Sequence, residues 1–117
     1  MKKEYFQNDR MKAGVINMEE LDSIIEYLKI NKTVEFSPYP VYSAEIYKAL
    51  DLLEEDINYL SNHRKIENKS INDMSKKEIA TMLTFISRGE RFCDGHIAGF
   101  VESGDLLKLM LRLKELS

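Results

Sequence analysis

The sequence predicts an all-α fold: a single-domain irregular bundle of four to five helices with a short extended Pro/Tyr link. Three observations predict it. Apolar residues return every three or four positions through most of the chain beyond residue 17, the spacing of one helical face. Side chains suited to capping helices precede those runs. Helix breakers are sparse, since the only prolines are Pro38 and Pro40 and four of the five glycines lie at or after Gly89. With 117 residues, 44% of them apolar, the chain suffices for one modest core without metal or disulfide staples.

The domain is expected to span residues 1–117, with 1–17 as a loosely ordered N-terminal arm. That arm mixes Lys2, Lys3, Arg10 and Lys12 with Glu4 and Asp9 without clear periodicity, and a short helix around 4–13 is the other choice. The first helix runs about 18–30, because Asn17 with Glu20 resembles a capping box and Leu21, Ile24, Ile25 and Leu28 share one face. Asn31 stops it. Residues 32–42 contain both prolines, which exclude a helix interior. A lone strand there has nothing to pair with, so an extended connection is expected, its aromatics laid on the helices.

A second helix is expected from the cap Ser43 to about Leu60, with Ile46, Leu50, Leu53, Ile57 and Leu60 as its seam and Asp51, Glu54, Glu55 and Asp56 outside. Residues 61–74 are polar and read as a loop. Ser75 and Glu78 form a cleaner capping box for a third helix, with Ile79, Met82, Leu83 and Ile86 inward. That helix ends at Gly89 or runs on to Cys93. A short helix over about 95–103 should close at Gly104, and Asp105 can cap a last helix over 106–116. Leu106, Leu107, Leu109, Met110, Leu111, Leu113 and Leu116 cover most of that helix's circumference, so it is either central or covered by a partner.

Composition excludes several classes. No apolar run of about 18 residues and no signal-peptide core follow the start, so no membrane association is expected and the cytoplasm is the expected compartment. The single cysteine, Cys93, forbids an internal disulfide and a four-cysteine zinc site. No metal and no cofactor are expected. The net charge of −3 argues against nucleic acid as a partner, although Arg64, Lys65, Lys69, Lys76 and Lys77 could build a basic face. That −3 is a sum of unlike parts, with −7 over residues 18–60 and +2 over 61–117. The acidic stretch reads as the solvated side of amphipathic helices in preference to a cation site at Asp51 with Glu54 or Glu55.

The segment Arg88-Gly-Glu-Arg-Phe-Cys-Asp-Gly-His96 is the densest set of polar handles. Arg88 and Arg91 could fork around a carboxylate or phosphate, with Glu90 and Asp94 orienting the guanidiniums or pairing as carboxylates. Gly95 would admit a close backbone or ligand, and helix amides after Asp94 would add an anion site. The plainer reading is a helix junction fastened by Arg–Glu pairs, with Phe92 as a core plug. Cys93 and His96 stand three apart, which suits a thiolate–imidazole pair. Nothing else completes a nucleophilic site, so Cys93 reads as a buried bystander and a reactive thiol is not expected.

Residues 83–98 and 102–116 resemble a bacterial domain family of unknown function. Its members share an arginine-x-glutamate-arginine-phenylalanine-cysteine-acid-glycine block before an arginine- and leucine-rich terminal helix. The similarity is detailed over about 79–116 and weaker over 36–60, and residues 1–35 fall outside it. Many members carry a central tryptophan, which this chain lacks. The resemblance implies a small bacterial cytoplasmic domain with Arg88, Glu90, Arg91, Phe92, Cys93, Gly95 and His96 on the family block, and it implies no reaction.

The leading functional expectation is a non-enzymatic binding or protein-interaction module, a homo-oligomer joined through apolar helix faces. The alternative is a small enzyme or ligand-binding domain for an anionic metabolite or nucleotide, acting through Arg88, Glu90, Arg91, Asp94, Gly95 and His96.

Overall fold

The computed structural model describes residues 16–117, so nearly all of the expected N-terminal arm lies outside the described residues. The chain runs α1 (Met18–Ile30), β1 (Glu35–Phe36), β2 (Pro40–Val41), α2 (Ala44–Leu50), α3 (Tyr59–Ile66), a 3-10 turn (Ile71–Asp73), α4 (Lys76–Gly89), α5 (His96–Glu102) and α6 (Asp105–Leu116). The all-α expectation holds, with six helices among the described residues instead of four to five.

The helices with strong caps lie where the sequence places them. Asn17 accepts the Glu20 amide at 3.1 Å and Asn31 closes α1. Ser75 and Glu78 make the complete reciprocal capping box of α4. Gly104 closes the preceding helix at φ 87°, left-handed backbone that glycine adopts without a Cβ penalty. Asp105 is the first residue of α6 and not its cap, and its amide donates to Ser103 Oγ at 3.2 Å.

α6 is the centre of the core. Leu106, Leu109, Met110 and Leu113 are fully buried, meeting Leu21, Ile24 and Leu28 of α1 and Ile79, Leu83 and Ile86 of α4 in one cluster. Burial of each such side chain contributes about 1.5–3 kcal/mol relative to exposure. Lys114 pairs with Asp22 at 2.7 Å, and Arg112 Nε donates to the Met74 carbonyl at 3.0 Å. Those two contacts anchor α1 and the 3-10 turn to the same helix.

The expected helix from Ser43 to Leu60 is two elements. α2 ends at Leu50, the chain turns, and α3 begins at Tyr59 inside what reads as a helix-plus-loop boundary. The seam is accordingly broken: Leu53 is buried beside Leu52, whereas Ile57 and Leu60 are 85% and 62% exposed. Asp56 makes the turn. Its amide donates to Thr84 Oγ1 at 2.9 Å, and its carboxylate accepts Thr81 Oγ1 at 2.6 Å, Asn62 Nδ2 at 3.0 Å and the Asn58 amide at 2.9 Å. A continuous helix would carry Asp56 away from α4 and leave the two buried threonines without these partners. Residues 61–66, expected as loop, are therefore the body of α3, which lies along α4 with Ile66 buried and His63 stacked on Phe85 at 3.6 Å.

The Pro/Tyr link also departs from expectation. β1 pairs antiparallel with β2 in the register Glu35–Val41 and Phe36–Pro40, so the strand finds its partner in its own continuation. The Ser37–Pro38 peptide is cis. Pro40 is tolerated because an edge strand of a two-stranded ribbon needs no donor on its outer side. Glu102 of α5 accepts the Val34 amide at 2.9 Å and fixes the entry to this hairpin.

Candidate functional site

The block over residues 88–96 is a helix junction. α4 ends at Gly89, five residues of turn follow, and Gly95 at φ 92° launches α5. Glu90 organises it: one carboxylate oxygen accepts the Ile97 amide at 2.8 Å and the Tyr42 hydroxyl at 2.9 Å, and the other accepts the Gly95 amide at 2.9 Å. The Ala98 amide donates to the Tyr42 oxygen at 3.2 Å. The N-terminal amides of α5, expected as an anion site, are thus filled by the protein's own carboxylate and phenol. Glu90 orients no guanidinium, which corrects that expectation.

His96 is also structural. Its Nδ1 donates to the Ile86 carbonyl at 3.0 Å, and its ring meets Phe85 and Phe100 edge-on at 5.3 and 5.2 Å. With His63 stacked on Phe85, two imidazoles and two phenyl rings form one cluster between α3, α4 and α5. His63, in the stretch expected as loop, is therefore a packed residue of α3. A Cβ on Gly89 would fall on the His96 ring, so Gly89 is the space that ring occupies. Gly95 admits no ligand either, because the Phe36 ring lies over it.

The arginines separate from this core. Arg88 pairs with Glu55, and Arg88 and Arg91 both line a cleft of about 240 Å³ with Asp51, Ser87, Leu50 and Leu53. His96 is not among its lining residues. Phe92, expected as a core plug, is 85% exposed, and Cys93, expected buried, is exposed. Both follow the end of α4, where the chain leaves the packed layer, and Asp94 is exposed with them. Among the described residues no cluster of three or more His, Cys, Asp or Glu is placed to hold a metal ion, and no helix is long and apolar enough to cross a membrane. Lys69 of the imagined basic face is committed to Glu78 at 2.8 Å.

Sequence reasoning missed Tyr42, Asp56, Thr81 and Thr84, although a threonine pair on an otherwise apolar helix face was a usable signal. Burial pushes the carboxyl pKa of Asp56 and of Glu90 up, but the hydrogen bonds each accepts outweigh it and hold both below their ordinary values. Glu78 is lowered chiefly by the Lys69 bond. Burial pushes the Tyr42 hydroxyl strongly up, reinforced by its bond to Glu90. Burial, aided by repulsion from His96, lowers His63 against the attraction of Glu67.

A pH dependence follows. Below its ordinary pKa of 6.5 the unfolded chain protonates His63 before the folded state does, so stability falls as pH drops through that value. Asp56, Glu78 and Glu90 act next, as pH falls through 3.8 and 4.5 toward their lower folded values. Urea melts at about pH 8, 5.5 and 3.5 should give successively lower midpoints, and a midpoint that stays flat would contradict the network.

No curated protein and no solved structure shows a significant match to this chain. A family profile does match, over residues 3–117, and so extends across the N-terminal third where the resemblance read from the sequence did not reach. With the junction residues inside a match of nearly the full chain, the protein belongs to DUF6508, a family of unknown function.

Proposed function

We propose that this protein is a non-enzymatic protein-interaction module that self-associates through an aromatic face carried by the β-hairpin, Tyr47 and Phe92. The observation that carries this is exposure: Phe36 is 50%, Tyr39 67%, Val41 56%, Tyr47 55% and Phe92 85% exposed. Large exposed aromatic side chains mark interaction surfaces, and Phe36 lies against Gly95 of the junction that also carries Phe92. Two of them, Phe36 and Tyr47, are also braced. Phe36 rests on Gly95, and Tyr47 meets the ring of Tyr42 at 6.0 Å while Tyr42 is bonded to Glu90. Preformed anchors lose little freedom on association.

A second copy of the chain is the partner this face suits. Charges of both signs stand near these residues in the sequence (Glu35, Glu45 and Asp94 with Lys48), which suits a self-complementary two-fold contact. The terminal helix is a weaker candidate than its sequence suggests, since its apolar side fills the core and only Leu111 and Leu116 remain 38% and 40% exposed. The resemblance and the exposed Cys93 thiol support the bacterial cytoplasm as the setting.

Light scattering coupled to gel filtration tests the proposal. The wild type should show the mass of a dimer at micromolar concentration, and Phe92→Ser with Tyr39→Ser should shift it to the monomer with unchanged helicity. A wild type that stays monomeric at about millimolar concentration, where an interface worth about 4 kcal/mol would already be populated, overturns it.

A further inference from the structure

We infer that the cleft between the turn after α2 and the last turns of α4 binds a small zwitterion of amino-acid size, holding its carboxylate with Arg91 and its ammonium group with Asp51. This site is independent of the aromatic face. Its charges sort into two kinds. Arg88 and Glu55 are paired with each other and neutralise one another. Arg91 and Asp51 have no side-chain hydrogen bond or ion pair among the described residues, yet both line the same cleft. The cleft therefore offers one uncommitted cation and one uncommitted anion.

That arrangement selects a ligand class. A phosphate or nucleoside monophosphate would bring about 1.5–2 negative charges toward a cleft holding the Asp51 and Glu55 carboxylates, with one guanidinium already neutralised. A molecule with one carboxylate and one ammonium group meets an opposite charge at each end and keeps the cleft neutral. Arg91 supplies a planar fork matched to a carboxylate, which a fixed point charge would not. Ser87 adds a hydroxyl that no other described residue engages, whereas the Thr84 hydroxyl is already taken by the Asp56 amide and the Ala80 carbonyl. Leu50 and Leu53 give the wall an apolar stretch for a short side chain. The volume of about 240 Å³ lies below that of pockets for drug-sized ligands, about 300–1,000 Å³, and suits a single amino acid.

Thermal shift with the standard free α-amino acids, followed by calorimetric titration of the best of them, tests the inference. At least one amino acid should raise the melting temperature saturably, and its N-acetyl and methyl-ester derivatives, each lacking one charge, should not. Arg91→Ala and Asp51→Asn should each weaken binding roughly tenfold or more while leaving the unliganded melting temperature unchanged, because both side chains are exposed. Three results would overturn it: no amino acid produces a shift, inorganic phosphate or AMP binds as tightly, or both variants bind like the wild type. Self-association is measured separately by mass, so failure here leaves the aromatic face untouched, and the reverse holds.

Discussion

Glu90→Ala should lower the melting temperature by roughly 10–15 °C, the largest loss expected from any single polar substitution in this chain. The carboxylate accepts the Gly95 and Ile97 amides and the Tyr42 hydroxyl, each within 2.9 Å. Removing it strands two helix-terminal amides and a half-buried phenol together. Hydrogen bonds to a charged acceptor contribute about 1.5–3 kcal/mol each, and three that share one acceptor do not add, so about 3 kcal/mol is the expected total. Glu90→Gln, which keeps one carbonyl acceptor, should fall between alanine and the wild type. Both variants should also show a shallower loss of stability below about pH 4.5, since Glu90 is one of the carboxylates held below its ordinary pKa. A melting temperature within about 2 °C of the wild type would mean that α5 is docked by packing alone.

The same substitution bears on function. If Glu90 were poised for acid–base chemistry, its lone pairs would face an open site, but three parts of the fold converge on it instead. It follows α4, reaches forward to the start of α5 and back across 48 residues to Tyr42, and so ties in the strand–helix connection that carries the hairpin. The proposed aromatic face thus stands on the junction. Loss of Glu90 should loosen Tyr42 and with it Tyr47, weakening the proposed association as well as stability.

What was legible in the sequence and what was not divides along a physical line. α1, α4, α5 and α6 were legible because their signals are local: a capping side chain for α1 and α4, a glycine before α5 and before α6, and a periodic apolar face within one stretch. The break between α2 and α3 was not. Leu50, Leu53, Ile57 and Leu60 keep helical spacing across it, and the acids beside them look like any solvated face. Asp56 decides the matter through Thr81 and Thr84, 25 and 28 residues away, and local pattern does not register partners at that range. The hairpin escaped for a related reason, since its pairing depends on a turn at residues 37–39 in a stretch whose composition says only that it is not helical.

The junction was legible as a place, and the plainer of its two readings, a helix junction, is what Glu90 and His96 build. Density of arginine, glutamate and histidine between two glycines marks both a ligand site and a point where helix ends must be satisfied. Only the partners of Glu90 and His96 separate the two. The arginines lie on the outer side, with Arg91 in the cleft and its side chain without a partner among the described residues.

Gly89→Ala tests the packing half of this junction, because helix propensity and tertiary structure give opposite signs. On propensity alone, alanine within a helix is favoured over glycine by about 1 kcal/mol. Gly89 is the last residue of α4, and its backbone is not left-handed, so conformational freedom gives no reason for glycine. Space does. A Cβ there would stand 2.7 Å from His96 Cγ and nearer still to Nδ1 and Cε1. The ring has nowhere to go, being bonded to the Ile86 carbonyl at 3.0 Å and set against Phe85 and Phe100. Overpacking costs about 1–3 kcal/mol and a lost hydrogen bond about 1 more, so after the propensity gain the variant should be less stable by about 2 kcal/mol. In a His96→Ala background the obstacle is gone, and Gly89→Ala should become neutral or stabilising. Urea denaturation of the four proteins in that cycle should therefore give a coupling of about 2–3 kcal/mol. A Gly89→Ala variant more stable than the wild type would show that the His96 ring is free to move aside, and that α4 and α5 are joined by Glu90 without it.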